Sequence, residues 1–124
     1  MFRGAFFICG IMDFSKLNGL IPAVIQDADT REVLMVGFMN QEALDRTIES
    51  GFATFFSRTR DKLWMKGETS GNRLRVDRVL VDCDDDTLLL MVTRLGDGNV
   101  CHTGERSCFF RAFGSTEDPG KKPT

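Results

Sequence analysis

No stretch of this 124-residue chain is apolar for long enough to cross a bilayer, which takes about 20 consecutive apolar residues in a helix. The nearest approach, MFRGAFFICGIM at the N-terminus, is broken, carries an arginine and lacks a small-residue cleavage site. Neither a membrane span nor a signal peptide is therefore expected, and the cytoplasm is the expected compartment. Neither sign of charge dominates: 16 Lys and Arg against 18 Asp and Glu leave a net charge of -2. That balance supplies no global field to attract nucleic acid or an anionic membrane, so neither is an expected partner. Internal repeats and low-complexity tracts are missing as well. Histidine occurs once, at His102, and no two of the four cysteines stand in a C-x-x-C pair, so the strongest zinc-finger spacing is missing. The H-x-E and P-C-x-x-C elements of nucleobase deaminases are also missing.

What is present fits one domain over residues 1–124, with 42% hydrophobic residues for a modest core. The ordered part is expected over about 13–113 and a frayed tail over 114–124. IPAVIQ (21–26) and EVLMVGFM (32–39) read as strands joined by a turn at DADT. Asn40 is placed to cap a helix whose Ala43, Leu44, Thr47 and Ile48 share one face, with Gly51 closing it. FATFFS (52–57) reads as a strand. RLRVDRVLVDCD (73–84) alternates as a half-buried strand, with Leu74, Val76 and Leu80 assigned inward, and TLLLMVTR (87–94) is its expected partner. SCFFRAF (107–113) reads as a last strand. The sum is an α+β fold with a mixed or antiparallel sheet and few helices.

Three groups of residues carry chemistry. The first is VDCDDDT (81–87), with Asp82, Cys83, Asp84, Asp85 and Asp86 in a row. In an extended segment, side chains two apart lie about 6.6 Å from one another, and at an effective dielectric near 20 each such aspartate pair costs roughly 2.5 kcal/mol before screening. Bulk water or a bound cation must offset that cost. Hard carboxylates at Asp82, Asp84 and Asp86 suit Mg²⁺, and the soft thiolate of Cys83, on the other face of an extended segment, suits Zn²⁺. A solvated turn rich in aspartate accounts for the same letters.

The second is Cys101-His102-Thr103-Gly104 running to Cys108. Cys83, Cys101 and Cys108 together make three thiolates, and three protein ligands leave a zinc ion one position for water, the arrangement of catalytic rather than structural sites. Adjacent residues seldom aim both side chains at one metal, so His102 falls beside such an ion as a proton-transfer group. Ordinary core cysteines and a satisfied loop histidine fit the same pattern, and Cys9, alone in an apolar stretch, reads as a small buried hydrophobe. The third is FFSRTRDKLWMKGETSGNRLR (55–75), where Arg58, Arg60, Lys62, Lys66, Arg73 and Arg75 stand against Asp61 and Glu68. Ser57, Thr69, Ser70 and Gly71 offer hydroxyls and backbone N–H groups to a phosphate, and Trp64 offers a flat face to a base. A solvated basic hairpin with Trp64 in the core is the plainer alternative.

Taken in order, S-R-x-R followed by W-x-K-G-E-T-S-G, then D-C-D-x-D, then C-H-T-G-x-x-S-C-F closely resemble phosphoribosyl-AMP cyclohydrolase, the metal-dependent family of the third step of histidine biosynthesis. The likeness runs from about Asp13 to Phe113. It implies a hydrolase that opens the adenine ring of N1-(5-phosphoribosyl)-AMP between N1 and C6. Residue by residue, it implies Zn²⁺ on Cys83, Cys101 and Cys108, Mg²⁺ on Asp82, Asp84 and Asp86, and a catalytic role for His102. Ser57, Arg58, Trp64, Lys66, Glu68, Thr69, Ser70 and Gly71 become the candidate contacts to a phosphorylated nucleotide. The resemblance further implies an intertwined homodimer in which Cys83 of one chain meets Cys101 and Cys108 of the other. Two departures from the family pattern, Asp85 where glycine or asparagine is frequent and Val100 where alanine is common, remove no ligand.

Overall fold

A computed structural model of the chain describes residues 12–114; the readings made for Cys9, the N-terminal apolar stretch and the tail beyond residue 114 fall outside them. Seven elements follow in order: β1 (Ile21–Asp27), β2 (Val33–Met39), α1 (Gln41–Ser50), β3 (Thr54–Ser57), β4 (Lys62–Met65), β5 (Leu74–Val81) and β6 (Leu88–Arg94). A four-stranded sheet takes the order β2-β1-β6-β5, and β3 with β4 forms a separate two-stranded sheet. β1 runs antiparallel to β2 and parallel to β6, while β5 and β6 are antiparallel. The fold is α+β with one mixed and one small antiparallel sheet, as the pattern of runs suggested.

Alternation decides which face is buried. In β1, Ile21, Ala23 and Ile25 point inward with no exposed surface, and Leu88, Leu90 and Val92 of the paired β6 join them. Each fully buried side chain of this kind stabilises the fold by about 1.5–3 kcal/mol. Two bulges adjust the alternation. Pairing passes from Ile25↔Met35 to Gln26↔Val33, so Leu34 is the extra residue and lies buried next to Met35. In β5 pairing passes from Val76↔Val92 to Arg78↔Met91, leaving Asp77 unpaired in the ladder. One extra residue reverses the faces beyond it. Leu74 and Val76 are buried as expected, but it is Val79, not Leu80, that packs on the core.

The helix forms where its caps dictate. The Asn40 side chain accepts from Ala43 N at 2.8 Å, and Gly51, at φ 83, donates its N–H to Thr47 O at 2.9 Å. Ala43, Leu44 and Thr47 are buried. Thr47 Oγ1 lies 2.9 Å from Ala43 O and accepts from Thr54 N at 3.0 Å, which fastens α1 to β3. Phe55, fully buried, lies so close to Gly37 that a Cβ there would meet its ring at 2.5 Å.

Two elements differ from expectation. KLWM forms β4, pairing Phe55↔Trp64 and Ser57↔Lys62; its short run is masked in the sequence by flanking charges. Residues 107–113 form no strand. Cys108 N donates to Leu34 O at 2.8 Å and Ser107 Oγ to Val33 O at 2.8 Å, so this segment meets the edge of β2 where the Leu34 bulge interrupts the even spacing that a ladder needs. No described helix is long and apolar enough to cross a membrane.

Candidate functional site

Two loops leave the strands at one end of the sheet and enclose a cavity of about 330 Å³. The first, residues 66–73, joins β4 to β5. It is anchored by Lys66 N on Ala53 O at 3.1 Å and folded on itself by Gly71 N on Gly67 O at 2.8 Å. The second, residues 95–108, follows β6. Cys101 N donates to Glu105 O at 3.0 Å and Gly104 N to Cys101 O at 2.9 Å, a tight turn that leaves His102 and Thr103 exposed at its tip. Lys66 and Ser70 from the first loop and Cys101 and His102 from the second line the cavity together.

Cys101 is buried. Its Sγ lies 3.0 Å from Thr103 Oγ1. That hydroxyl and the Thr103 amide, aided by Cys108 and the Lys66 charge, lower the Cys101 thiol below its ordinary range. Cys108 is held in the opposite direction: partial desolvation pushes its thiol up, and the neighbouring Cys101 sulfur adds to the effect. The two thiols thus influence one another, with Cys101 the readier thiolate, a donor set that suits a soft cation.

The acidic run lies elsewhere. Residues 82–87 do not stay extended: Asp85 adopts φ 62, Asp82 N donates to Thr87 O at 3.1 Å, and Asp82 Oδ1 accepts from Asp86 N at 3.0 Å and Thr87 N at 3.2 Å. The expectation of three aspartates on one face of an extended segment gives way to a turn. The turn gathers the same carboxylates, for oxygens of Asp82, Asp84 and Asp86 all lie within 4.8 Å of one another. Lys16 Nζ reaches Asp84 at 3.0 Å and Asp86 at 2.9 Å. Its ammonium holds the Asp86 carboxyl well below the usual carboxylate range. Desolvation, with Asp84 and Asp86 alongside, raises that of Asp82. Three clustered hard oxygens fit a divalent cation.

Cys83 belongs to this turn, beyond Val81, while Cys101 follows the opposite end of the hairpin, where Leu74 faces Arg94. The β5–β6 ladder from Val81↔Leu88 to Leu74↔Arg94 spans the seven residues of β6, or about 20 Å at 3.3 Å per residue. Within one chain, then, Cys101 and Cys108 come together and Cys83 does not: among the described residues the three aspartates form the one cluster of potential metal ligands.

The candidate substrate contacts divide similarly. Trp64, Glu68 and Thr69 line an outer cavity of about 460 Å³ continuous with Gly67 and Ser70. Trp64 is half-buried, tilted by 36° against Phe55 with ring centroids 5.0 Å apart, and Lys66 Nζ stands 5.9 Å from its ring. Ser57 Oγ accepts from Arg60 N at 3.2 Å within the β3–β4 turn, and Arg58 lies 4.3 Å over the Phe38 ring of β2 in the single chain.

A family model described as phosphoribosyl-AMP cyclohydrolase matches residues 35–110, more than half of the chain. The chain belongs to this family. It is 56% identical over 100 residues to the phosphoribosyl-AMP cyclohydrolase of Desulfatibacillum aliphaticivorans, covering 81% of this chain and 79% of the relative. It is 56% identical over 106 residues to that of Solibacter usitatus, covering 86% and 83%. A histidine biosynthesis bifunctional protein, HisIE, from Bacteroides thetaiotaomicron is 57% identical over 98 residues, which cover 79% of this chain and 47% of that protein. Members of the family are enzymes of histidine biosynthesis, and this chain is one of them. The matched span holds β2 from Met35 onward, α1, β3 to β6, the acidic turn, Cys101, His102 and Cys108. Sequence reading overlooked Asn72, Asp97 and Asn99, which also line the family member's cavity. The glycines around them, SGN and GDGN, were the available signal.

Proposed function

We infer that this chain hydrolyses N1-(5-phosphoribosyl)-AMP, opening its adenine ring between N1 and C6 to give the phosphoribosyl-formimino aminoimidazole carboxamide ribotide. The observation that carries the reading is the cavity in which Lys66 and Ser70 of one loop face Cys101 and His102 of another. Water adds across the C6–N1 bond: its oxygen ends on C6 as the carboxamide oxygen, and N1 leaves carrying a proton. His102, exposed beside the cavity, takes the proton from the attacking water and returns it to N1. Lys66 supplies a positive charge and Ser70 a hydroxyl to a phosphate of the substrate, and Trp64 supplies an aromatic face beside them. Glu68, Thr69 and Gly71 shape the same loop.

The donor set of Cys101 and Cys108 fits zinc, and the Asp82, Asp84 and Asp86 cluster fits magnesium. Zinc, when bound, supplies Lewis-acid activation of water at neutral pH. A third thiolate comes from Cys83 of a second copy, because about 20 Å of sheet separates it from the pair within one chain. The functional unit is therefore a homodimer with a shared zinc site. The cytoplasm suits its unpaired thiols Cys83, Cys101 and Cys108.

The test is to follow loss of the purine chromophore of phosphoribosyl-AMP with purified protein, before and after zinc chelation. Turnover that stops on chelation and returns with added zinc is expected. Turnover that survives complete zinc removal, or release of ammonia in place of ring opening, overturns the reading.

A further inference from the structure

The two loops that line the cavity come from different hairpins, and Asn72 joins them. Its Nδ2 donates to Asn99 O at 3.2 Å and its Oδ1 accepts from Asp97 N at 3.1 Å, so both ends of one amide are used on the facing loop. This settles the amide's orientation, because turning it over would set N–H against N–H and oxygen against oxygen. On its own loop, Asn72 N donates to Ser70 Oγ at 3.2 Å, and beside it Leu95 N of the facing loop reaches the Arg73 carbonyl at 2.9 Å. Two glycines pass close beside it. A Cβ at Gly67 (φ +78) would lie 2.2 Å from the Asn72 carbonyl, and one at Gly96 (φ +68) would lie 2.2 Å from Asn72 Oδ1. The loops are thus closed upon this residue as tightly as backbone allows.

We propose that Asn72 is a positioning residue, which sets the register between the loop carrying Lys66 and Ser70 and the loop carrying Cys101 and His102. The proposal rests on the reading that these groups act on one phosphorylated nucleotide. Each loop keeps its own internal hydrogen bonds without Asn72, so binding of the substrate's phosphate to the first loop survives its loss. The chemical step does not, because it needs His102 in register with a base held from the other side, and misplacement by about 1 Å costs on the order of 100-fold in rate.

The full chain is prepared as Asn72→Ala and as Asn72→Asp, with zinc and magnesium supplied. Asn72→Asp keeps the shape and the acceptor for Asp97 N–H but sets an oxygen against Asn99 O. With phosphoribosyl-AMP as substrate, kcat is expected to fall at least about 10-fold in Asn72→Ala while KM stays within about threefold. Asn72→Asp falls in the same direction. Hydrogen exchange supplies a readout free of turnover: the Asp97 amide should lose protection in Asn72→Ala while the amides of β1 and β6 keep theirs. Unchanged kcat, a parallel loss through KM alone, or an unchanged Asp97 amide overturns the proposal. If Asn72→Ala does not fold, kcat and KM of Asn72→Asp decide, because that variant keeps the acceptor for Asp97 N–H and loses the donor to Asn99 O. Wild-type protein that fails to turn over phosphoribosyl-AMP defeats the functional reading instead, and exchange at Asp97 still judges Asn72.

Discussion

His102 stands at the tip of a turn held at its base by two backbone hydrogen bonds, Cys101 N to Glu105 O and Gly104 N to Cys101 O. Its place depends on backbone, not on a partner to its imidazole, so removing the ring should leave the turn intact. His102→Ala is expected to bind zinc with wild-type stoichiometry while kcat falls by roughly 100-fold or more, the usual scale for losing a general acid–base group; metal analysis beside steady-state kinetics checks both halves. Asp27 offers a second test at this scale. It is buried and accepts from Arg94 Nε at 2.6 Å, Asp29 N at 2.8 Å and Thr30 N at 3.0 Å. Burial alone would push its carboxyl up, but the Thr30 and Asp29 amides and the Arg94 guanidinium outweigh that and hold it below the ordinary value. A carboxyl lowered by folding contributes stability above the unfolded pKa of about 3.9 and loses it as pH falls through the folded value. Denaturation midpoints should therefore drop below about pH 4, and Asp27→Asn should flatten that drop while costing about 1.5–3 kcal/mol at neutral pH. Cys101 and His102 stood out in the sequence because a motif holds them, and both line the cavity. Asn72 did not stand out, since its part depends on two loops meeting, which spacing along one chain does not encode.

Periodicity made β1, β2, α1, β5 and β6 legible because each has a buried face and recognisable ends, such as Asn40 and Gly51. It failed at Leu80, where a single unpaired residue, Asp77, reversed the faces beyond it, and no local preference announces such a residue. It failed again over 107–113, whose apolar letters look strand-like. There Phe109 and Phe113 are 61% and 91% exposed, so this apolar run fills no place in the single chain's core. The junction of β2 and β3 gives the prediction proper to this scale. Gly37 faces the fully buried Phe55 ring. Gly37→Ala should destabilise by about 1–3 kcal/mol as an overpacked core does, and a denaturant midpoint unchanged from wild type would show that the contact yields.

For the molecule as a whole, the question is whether a second copy completes the thiolate set proposed for zinc. Cys83→Ser and Cys101→Ser proteins should each be inactive alone. Mixed under conditions that exchange subunits, they should recover about a quarter of wild-type activity, since half the dimers are hybrids and each hybrid keeps one intact site of two. No recovery after demonstrated exchange would confine the site to a single subunit. The D-C-D-x-D and C-H-T-G-x-x-S-C segments stood out in the sequence as candidate ligand segments, but their letters do not tell that the length of the sheet lies between them in one chain.

The middle of the large sheet joins Ala23 of β1 to Leu88 of β6 in parallel. As a ribosome delivers the polypeptide, the first strand emerges long before its neighbour exists, with only β2 available to cover one edge. Nearly all of the domain must be synthesised before the central pair zips together. Such distant pairing slows folding relative to local contacts, and it leaves the nascent β1–β2 hairpin, with Ile21, Ala23 and Ile25 still wet, as the segment most in need of a chaperone's shelter.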